Sequence, residues 1–362
     1  MTRTRVTLLT VGDPGRVTGG YLFHRRLADR APRHGADVTF VSIPDLPLPW
    51  AVLAGRRWLR HPATRTADVF VLDSIAASAA APWLGRVEAP VVGMLHQPLG
   101  GMEGHPLARA FRVPFDRRAY EACRVLMVAS DWLAEELAAA GIARERIRVV
   151  PPGKDLDAGP DASIAVDASR RAEVRAGRLT AALCVANWLP RKGVIELLEA
   201  VARLPDEIVT LHLVGETLTP GPYARRVRQR LEQPDLRDRV VVHGVISPAA
   251  VEEMYRAVDA FALPSFEEPY GTVWGEAMAA GLPVVGWRAG NLPFLAEHGV
   301  DALVVPVGDV DALSRSIDEL ARDSVLRARI GDAAARRAAA RPTWDETAEL
   351  FFEVIAEVRA GA

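Results

Sequence analysis

The sequence predicts an α/β protein built from two doubly wound parallel-sheet lobes, and three observations carry that prediction. Its 362 residues exceed one ordinary domain of roughly 100–200 residues. Short β-rich runs alternate with amphipathic helical stretches from end to end, the pattern of parallel strands covered by helices on both faces. The alternation breaks once, after Pro151-Pro152, and resumes at Leu179, so the chain divides into two lobes.

In the first lobe Val6–Val11 reads as a strand and Tyr21–Arg33 as a helix. Strands follow at Asp37–Ile43, Ala67–Leu72, Val91–Leu95, Val125–Ala129 and Arg148–Val150. Residues 155–178, which contain Asp, Ala, Gly, Pro and Ser without clear apolar periodicity, read as a linker or surface excursion. The second lobe begins with the strand Leu179–Ala186 and continues with strands at Val209–Val214, Val240–Val242, Ala260–Leu263, Pro283–Gly286 and Ala302–Val305. Helices are expected at Gly193–Arg203, Tyr223–Glu232, Pro248–Arg256, Thr272–Ala280 and Val310–Arg322. The domain organisation is therefore 1–155, a connecting stretch 156–178, and 179–342, with 343–362 expected as a C-terminal helix packing back toward the first lobe. Such sheets bind ligands at the carboxyl ends of their strands, and two facing sheets are expected to enclose a deep cleft.

Composition narrows the function. A net charge of −2 argues against a broad electrostatic binder of nucleic acid. Cys123 and Cys184 lie far apart in apolar surroundings, as buried small hydrophobes suited to a reducing cytosol. The apolar stretch Val6–Val11 is too short for the core of a signal peptide. Uncharged runs such as Ser74–Gly85 fall far below the ~20 residues that span a bilayer. A soluble, cytoplasmic protein is expected. Of 44 basic residues, 42 are Arg and two are Lys, Lys154 and Lys192. A background that replaces lysine wherever a mere positive charge suffices makes each survivor a pointer to a place that needs a compact ammonium.

Three segments carry chemistry. Gly12-Asp13-Pro14-Gly15-Arg16-Val17-Thr18-Gly19-Gly20 joins the first strand to the first helix. It lacks the G-x-G-x-x-G spacing of a dinucleotide fold, yet Gly19 and Gly20 at a helix start can present backbone amides to a phosphate or simply make a tight turn. Asn187-Trp188-Leu189-Pro190-Arg191-Lys192-Gly193 puts two adjacent cations at a helix N-terminus, the already positive end of the dipole. An anion should compensate them, and a pyrophosphate fits. In Leu263–Val285 a strand ends, a turn carries Glu268, a helix starts near Thr272, and Glu276 sits just over one turn inside it. Both carboxylates border one helix N-terminus, where acceptor oxygens can hold sugar hydroxyls and the amides of Gly271 to Val273 can meet an anion. The two D-x-D matches, Asp155-Leu156-Asp157 and Asp309-Val310-Asp311, fall in the linker and at a helix start and read as solvated or capping residues rather than metal ligands.

The third segment resembles the E-x7-E element of retaining nucleotide-sugar glycosyltransferases, in particular glycosyltransferase family 4 with its two-lobed GT-B fold. Other signposts agree in order: Gly19-Gly20, Val149-Val150-Pro151-Pro152-Gly153-Lys154-Asp155, Arg191-Lys192-Gly193, Leu213-Val214-Gly215-Glu216, Val242-His243-Gly244-Val245-Ile246-Ser247 and Val305-Pro306-Val307-Gly308-Asp309. The resemblance implies that Glu276 binds the ribose hydroxyls, Glu268 the transferred sugar, and the amides of Tyr270, Gly271, Thr272 and Val273 its hydroxyls and phosphates. It implies Lys192 on the diphosphate, Val245 and Ile246 on the base, Gly20 on the β-phosphate and His96 near the reacting sugar. Gly19, Asn187, Arg191, Gly215 and Glu216 complete the implied donor set. The sequence departs from the family at Asn187, where an arginine is usual and Arg191 is the available substitute, at Phe294 after Pro293, where glutamate is usual, and at Pro152, where asparagine is usual.

The implied reaction moves a sugar, with retention, from a nucleoside diphosphate, most often UDP or GDP, to an acceptor hydroxyl. The implied acceptor is a small molecule, a glycan or a lipid-linked acceptor, and no metal or other cofactor is expected. Cations and helix amides would stabilise the charge that develops on the β-phosphate. The alternatives are a non-catalytic nucleotide-sugar-binding relative, or an enzyme of the same fold that uses a sugar-phosphate acceptor or epimerises the donor. Peripheral membrane contact through Arg109, Phe111, Arg112, Phe115, Arg117 and Arg118, with Arg56-Arg57-Trp58-Leu59-Arg60, is a further possibility, against which a solvated helix face is the plainer account.

Overall fold

Twelve parallel strands among the described residues form two separate six-stranded sheets, each in its own unit of the chain. The structure is a computed structural model that describes residues 3–15, 19–102, 104–154, 167–218 and 221–361. One unit is Met1–Asp155 with Pro342–Ala362, the other Leu156–Arg341. The α/β prediction holds in both.

The strands of the first unit are β1 (Thr4–Val11), β2 (Ala36–Ile43), β3 (Val69–Asp73), β4 (Val91–Leu95), β5 (Val125–Val128) and β6 (Ile147–Val149), in the order β2-β1-β3-β4-β5-β6. β3, β4 and β5 are buried at every residue, which their near-continuous apolar sequences VFVLD, VVGML and VLMV require. The edge strand β2 alternates instead. The order reverses direction between β1 and β3, so a crevice opens there at the carboxyl ends of the strands. The first helix runs Gly19–Arg30 rather than to Arg33, because Pro32 has no amide to continue it. The helix Trp344–Ala360 starts with a capping box between Thr343 and Glu346 and buries Trp344, Phe351, Phe352 and Ile355 with Leu8, Val71 and Met127 of the sheet. Lys154 donates its backbone N–H to Pro342 O at 2.9 Å, and a Cβ on Gly153 would lie 2.4 Å from Trp344 N. This Pro-Gly-Lys segment therefore lies flat against the start of the C-terminal helix.

The second unit contains β7 (Thr180–Val185), β8 (Val209–Val214), β9 (Val240–Gly244), β10 (Ala260–Ala262), β11 (Val284–Trp287) and β12 (Ala302–Val305), in the order β12-β11-β10-β7-β8-β9. Its reversal lies between β7 and β10. One expectation changes here: within the presumed linker, Ala168–Arg175 is a helix, while 155–166, with Asp155-Leu156-Asp157, lies outside the described residues. That helix buries a single apolar side chain, Val174, and therefore shows no periodicity; Arg175 holds it down by pairing with the buried carboxylate of Asp259. Asp309 caps its helix through Ala312 N at 2.8 Å, and Asp311 pairs with Arg203. Cys123 and Cys184 are buried and free. No helix among the described residues is long and apolar enough to cross a membrane.

Candidate active site

The sheet order of the second unit brings the loop after β7 beside the loop after β10, although 76 residues separate their key side chains. Phe266 N donates to Arg191 O at 2.7 Å and Ser265 Oγ to the same oxygen at 2.9 Å. Gly193 holds φ +67°, and a Cβ there would lie 2.1 Å from Pro264 O, so only glycine lets the two loops meet. This contact sets Lys192 Nζ on Glu268 Oε2, with Arg191 Nη1 3.7 Å from the same oxygen. Both cations and the carboxylate are largely buried, at 13%, 18% and 14% side-chain exposure. The anion expected to compensate the cation pair is thus supplied by Glu268.

The turn that carries Glu268 is fixed from behind. Asn291, 2% exposed, donates its backbone N–H to Glu268 O at 2.9 Å and its Nδ2 to Tyr270 O at 2.9 Å. Gly290 packs so closely that a Cβ would sit 2.6 Å from Glu268 O. Gly271 then adopts φ +80° against the buried ring of Trp274 and starts the helix Thr272–Ala279, whose first amides point out of its N-terminus. Glu276 is exposed on that helix and accepts a hydrogen bond from the Tyr255 hydroxyl at 3.0 Å. Burial, and next the Glu276 charge, push the Tyr255 hydroxyl well above the usual tyrosine range, so it remains a donor at every physiological pH. Arg341 stacks over the Tyr270 ring at 5.1 Å, and its guanidinium fills the space that a Cβ on Gly275 would take.

The remaining expected donor residues border the same strand ends. Gly215, at φ +139°, approaches Ala186 O so closely that a Cβ would lie 2.3 Å away. Asn187, at the position of the family's arginine, accepts the Glu216 N–H through Oδ1 at 2.9 Å and so ties the loops after β7 and β8. The Glu216 carboxylate accepts the Leu218 N–H at 2.7 Å. Val245 is 73% exposed after β9, an apolar side chain open to a flat ligand, while Ile246 packs partly on the core. Asn291, Gly290, Tyr255 and Arg341 belong to none of the motifs that mark the site in the sequence.

In the first unit, His96 follows β4 and is not the lone histidine its sequence context suggests. Its Nε2 lies 3.1 Å from Nε2 of His24, which is 1% exposed. Gly20 lies against the His96 ring, where a Cβ would meet Cδ2 at an ordinary 3.5 Å, and Gly19 opens the helix. Arg16, Val17 and Thr18 of the glycine-rich loop lie outside the described residues. Burial pushes both histidines down to about 3, so their rings are neutral at physiological pH. The second of the two segments considered for a membrane surface is corrected: Trp58 is 3% exposed and stacks on Phe70 at 5.3 Å, leaving that segment without its large apolar contact.

Residues 3–158 match the family model described as Glycosyltransferase Family 4, and residues 166–337 that described as Glycosyl transferases group 1. The chain is similar to the D-inositol 3-phosphate glycosyltransferase of Xylanimonas cellulosilytica, at 32% identity over 253 residues, which are 68% of this chain and 60% of that protein. Across the inositol 3-phosphate glycosyltransferases of Xylanimonas and two corynebacteria, the matches span 60%, 52% and 48% of those proteins' own length. The GDP-mannose-dependent alpha-(1-6)-phosphatidylinositol monomannoside mannosyltransferase of Mycobacterium tuberculosis is 26% identical over 325 residues, 82% of each chain. The crystal structure of Anabaena HepE in complex with UDP shares the fold, with a TM-score of 0.77 at 21% identity over 98% of this chain and 100% of that one. With one family model on each unit and a six-stranded parallel sheet in each, the chain belongs to the family 4, group 1 glycosyltransferases.

Proposed function

We propose that this protein transfers a sugar from a nucleoside-diphosphate sugar to an acceptor hydroxyl, with retention of anomeric configuration and without a divalent metal. The observation that carries the proposal is the cluster at the β7–β10 reversal: Lys192, Arg191 and Glu268 beside the N-terminus of the helix that presents Glu276. A diphosphate offered to Lys192 competes with Glu268 for the ammonium, and sugar hydroxyls take up the carboxylate oxygens that Lys192 gives up. Binding thus exchanges one buried ion pair for two charge-assisted contacts. As the anomeric bond breaks, negative charge grows on the β-phosphate, where Lys192, Arg191 and the amides of Gly271, Thr272 and Val273 stabilise it, an effect worth roughly 3–4 kcal/mol per well-placed donor. Glu276, oriented by Tyr255, takes the ribose hydroxyls, and exposed Val245 meets the base. Gly20 and His96 take the places near the β-phosphate and the reacting sugar that the family resemblance gives them.

UDP and GDP are the nucleotides to test first, since HepE is described in complex with UDP and the mycobacterial relative as GDP-mannose-dependent. The relatives' names favour an inositol phosphate or inositol lipid as the acceptor class, a phosphorylated acceptor rather than a plain glycan. The experiment is a panel of UDP- and GDP-sugars with such acceptors, read as released nucleoside diphosphate and product anomer, with and without EDTA. Turnover unaffected by EDTA, with the α-anomer of the donor kept in the product, is expected. Glu268→Gln should lower it at least ~100-fold with the fold intact; unchanged turnover in that variant overturns the site.

A further inference from the structure

We infer that His24, backed by Asp73, is a positioning residue that holds His96 in one tautomer and leaves its Nδ1 as a hydrogen-bond acceptor for a substrate hydroxyl. The inference rests on the proposed transfer reaction for its functional meaning, and on the first unit's geometry for its chemistry.

Three elements converge at the carboxyl ends of β1, β3 and β4: His24 from the helix Gly19–Arg30, Asp73 at the end of β3 and His96 after β4. The two Nε2 atoms, 3.1 Å apart, must share one proton, because two protons would collide and none would oppose two lone pairs. Asp73 decides which ring carries it. Its Oδ2 accepts from the Thr10 hydroxyl at 2.7 Å, and its Oδ1 from Ile75 N at 3.2 Å and the Ser74 hydroxyl at 3.4 Å. That is the donor set of an ionised carboxylate. Oδ2 also lies 3.7 Å from Nδ1 of His24, a buried nitrogen with no hydrogen-bond partner among the described residues. A lone pair on that nitrogen would face a negative charge, whereas an N–H faces its counter-charge. His24 therefore carries its proton on Nδ1, accepts at Nε2, and draws the Nε2–H of His96 toward itself. His96 keeps a lone pair on Nδ1, to which no described protein group donates. Its backbone N–H donates to Ser74 Oγ at 3.2 Å and Phe23 packs edge-on against its ring at 5.0 Å, so neither backbone nor ring is free to turn. A sugar or acceptor hydroxyl can donate to this nitrogen; a second carbonyl-like acceptor cannot use it.

The test is histidine-selective 15N NMR on the full chain, with His96 assigned by the signal lost in His96→Gln. The expected result is Nε2 protonated and Nδ1 bare in His96, and the reverse in His24. Asp73→Asn, which can turn an amide N–H toward His24, is expected to invert both tautomers. In turnover, His24→Phe should lower kcat about tenfold or more with donor KM within twofold, and His24→Gln, whose amide oxygen can accept at the Nε2 position, should restore most of it. A protonated Nδ1 on wild-type His96 overturns the inference, as does equal turnover in the Phe and Gln variants when both are folded. Because the tautomer is read without substrate, wild-type protein that shows it but transfers no sugar refutes the transfer reaction alone.

Discussion

Replacing Gly193 by alanine should separate the two loops that build the proposed donor site. The Cβ would start 2.1 Å from Pro264 O, where real Cβ atoms come no closer than 3.0 Å, so the loops must part by about 0.9 Å. That movement stretches the Phe266 N–Arg191 O bond from 2.7 Å and the Ser265 Oγ–Arg191 O bond from 2.9 Å beyond hydrogen-bond range. Two lost bonds cost about 2 kcal/mol together, and the left-handed backbone of alanine costs another ~1–2 kcal/mol. A unit of this size should then melt roughly 6–16 °C lower. Activity is the more sensitive reading, because a displacement of ~1 Å at Lys192 is of the size that costs about 100-fold in rate. Calorimetry of wild type and Gly193→Ala gives the first number, and nucleoside diphosphate release at a permissive temperature gives the second. A variant that melts within 2 °C of wild type and turns over within about twofold would refute the claim that this contact places the cation.

Two further outcomes follow from single contacts. Tyr255→Phe removes the donor that orients Glu276, a bond worth ~0.5–1.5 kcal/mol. Nucleotide affinity by calorimetric titration should weaken roughly 2- to 12-fold with little change in kcat, and unchanged affinity would remove Glu276 from the ribose. Stability of the first unit should fall with acidification. His24 binds a proton at about 3 when folded and at its ordinary 6.5 when unfolded, so the unfolded chain gains protons first as the pH drops below 6.5. At pH 5 His24 alone should have cost about 2 kcal/mol, while Asp73, whose burial raises its value, acts with the opposite sign. A urea midpoint for this unit that is the same at pH 7.5 and pH 5 would contradict the burial of the pair.

Much of this molecule is written locally. Apolar runs of four to eight residues separated by amphipathic helices mark both sheets, because a strand buried on both faces has to be apolar along its length. The E-x7-E spacing is equally local: a turn, a left-handed glycine and one helical turn are enough to put Glu268 and Glu276 at one helix N-terminus. Lys192 could be singled out from composition alone, and the structure gives it a charged partner at the strand ends. Lys154 donates its backbone N–H to Pro342 O, and its charge acts on Glu346 at the start of the C-terminal helix.

What the sequence could not supply is who meets whom across strand order. Glu268 as the counter-ion of Lys192, Tyr255 on Glu276, Asn291 behind the Glu268 turn and His24 against His96 join residues 76, 21, 23 and 72 positions apart. No local periodicity encodes these pairs. The first and the last exist because the sheet order reverses between β7 and β10 in one unit and between β1 and β3 in the other, and a reversal brings together loops that follow non-consecutive strands; the other two join segments that flank the neighbouring strands β10 and β11. Sequence determined the strands, most helix starts and the candidate residues for a phosphate or a sugar. Only the tertiary structure decided which of those charges are already paired and which histidine nitrogen is left to meet a substrate, because pairing and tautomer depend on neighbours that the order of strands, not the order of residues, brings within 4 Å.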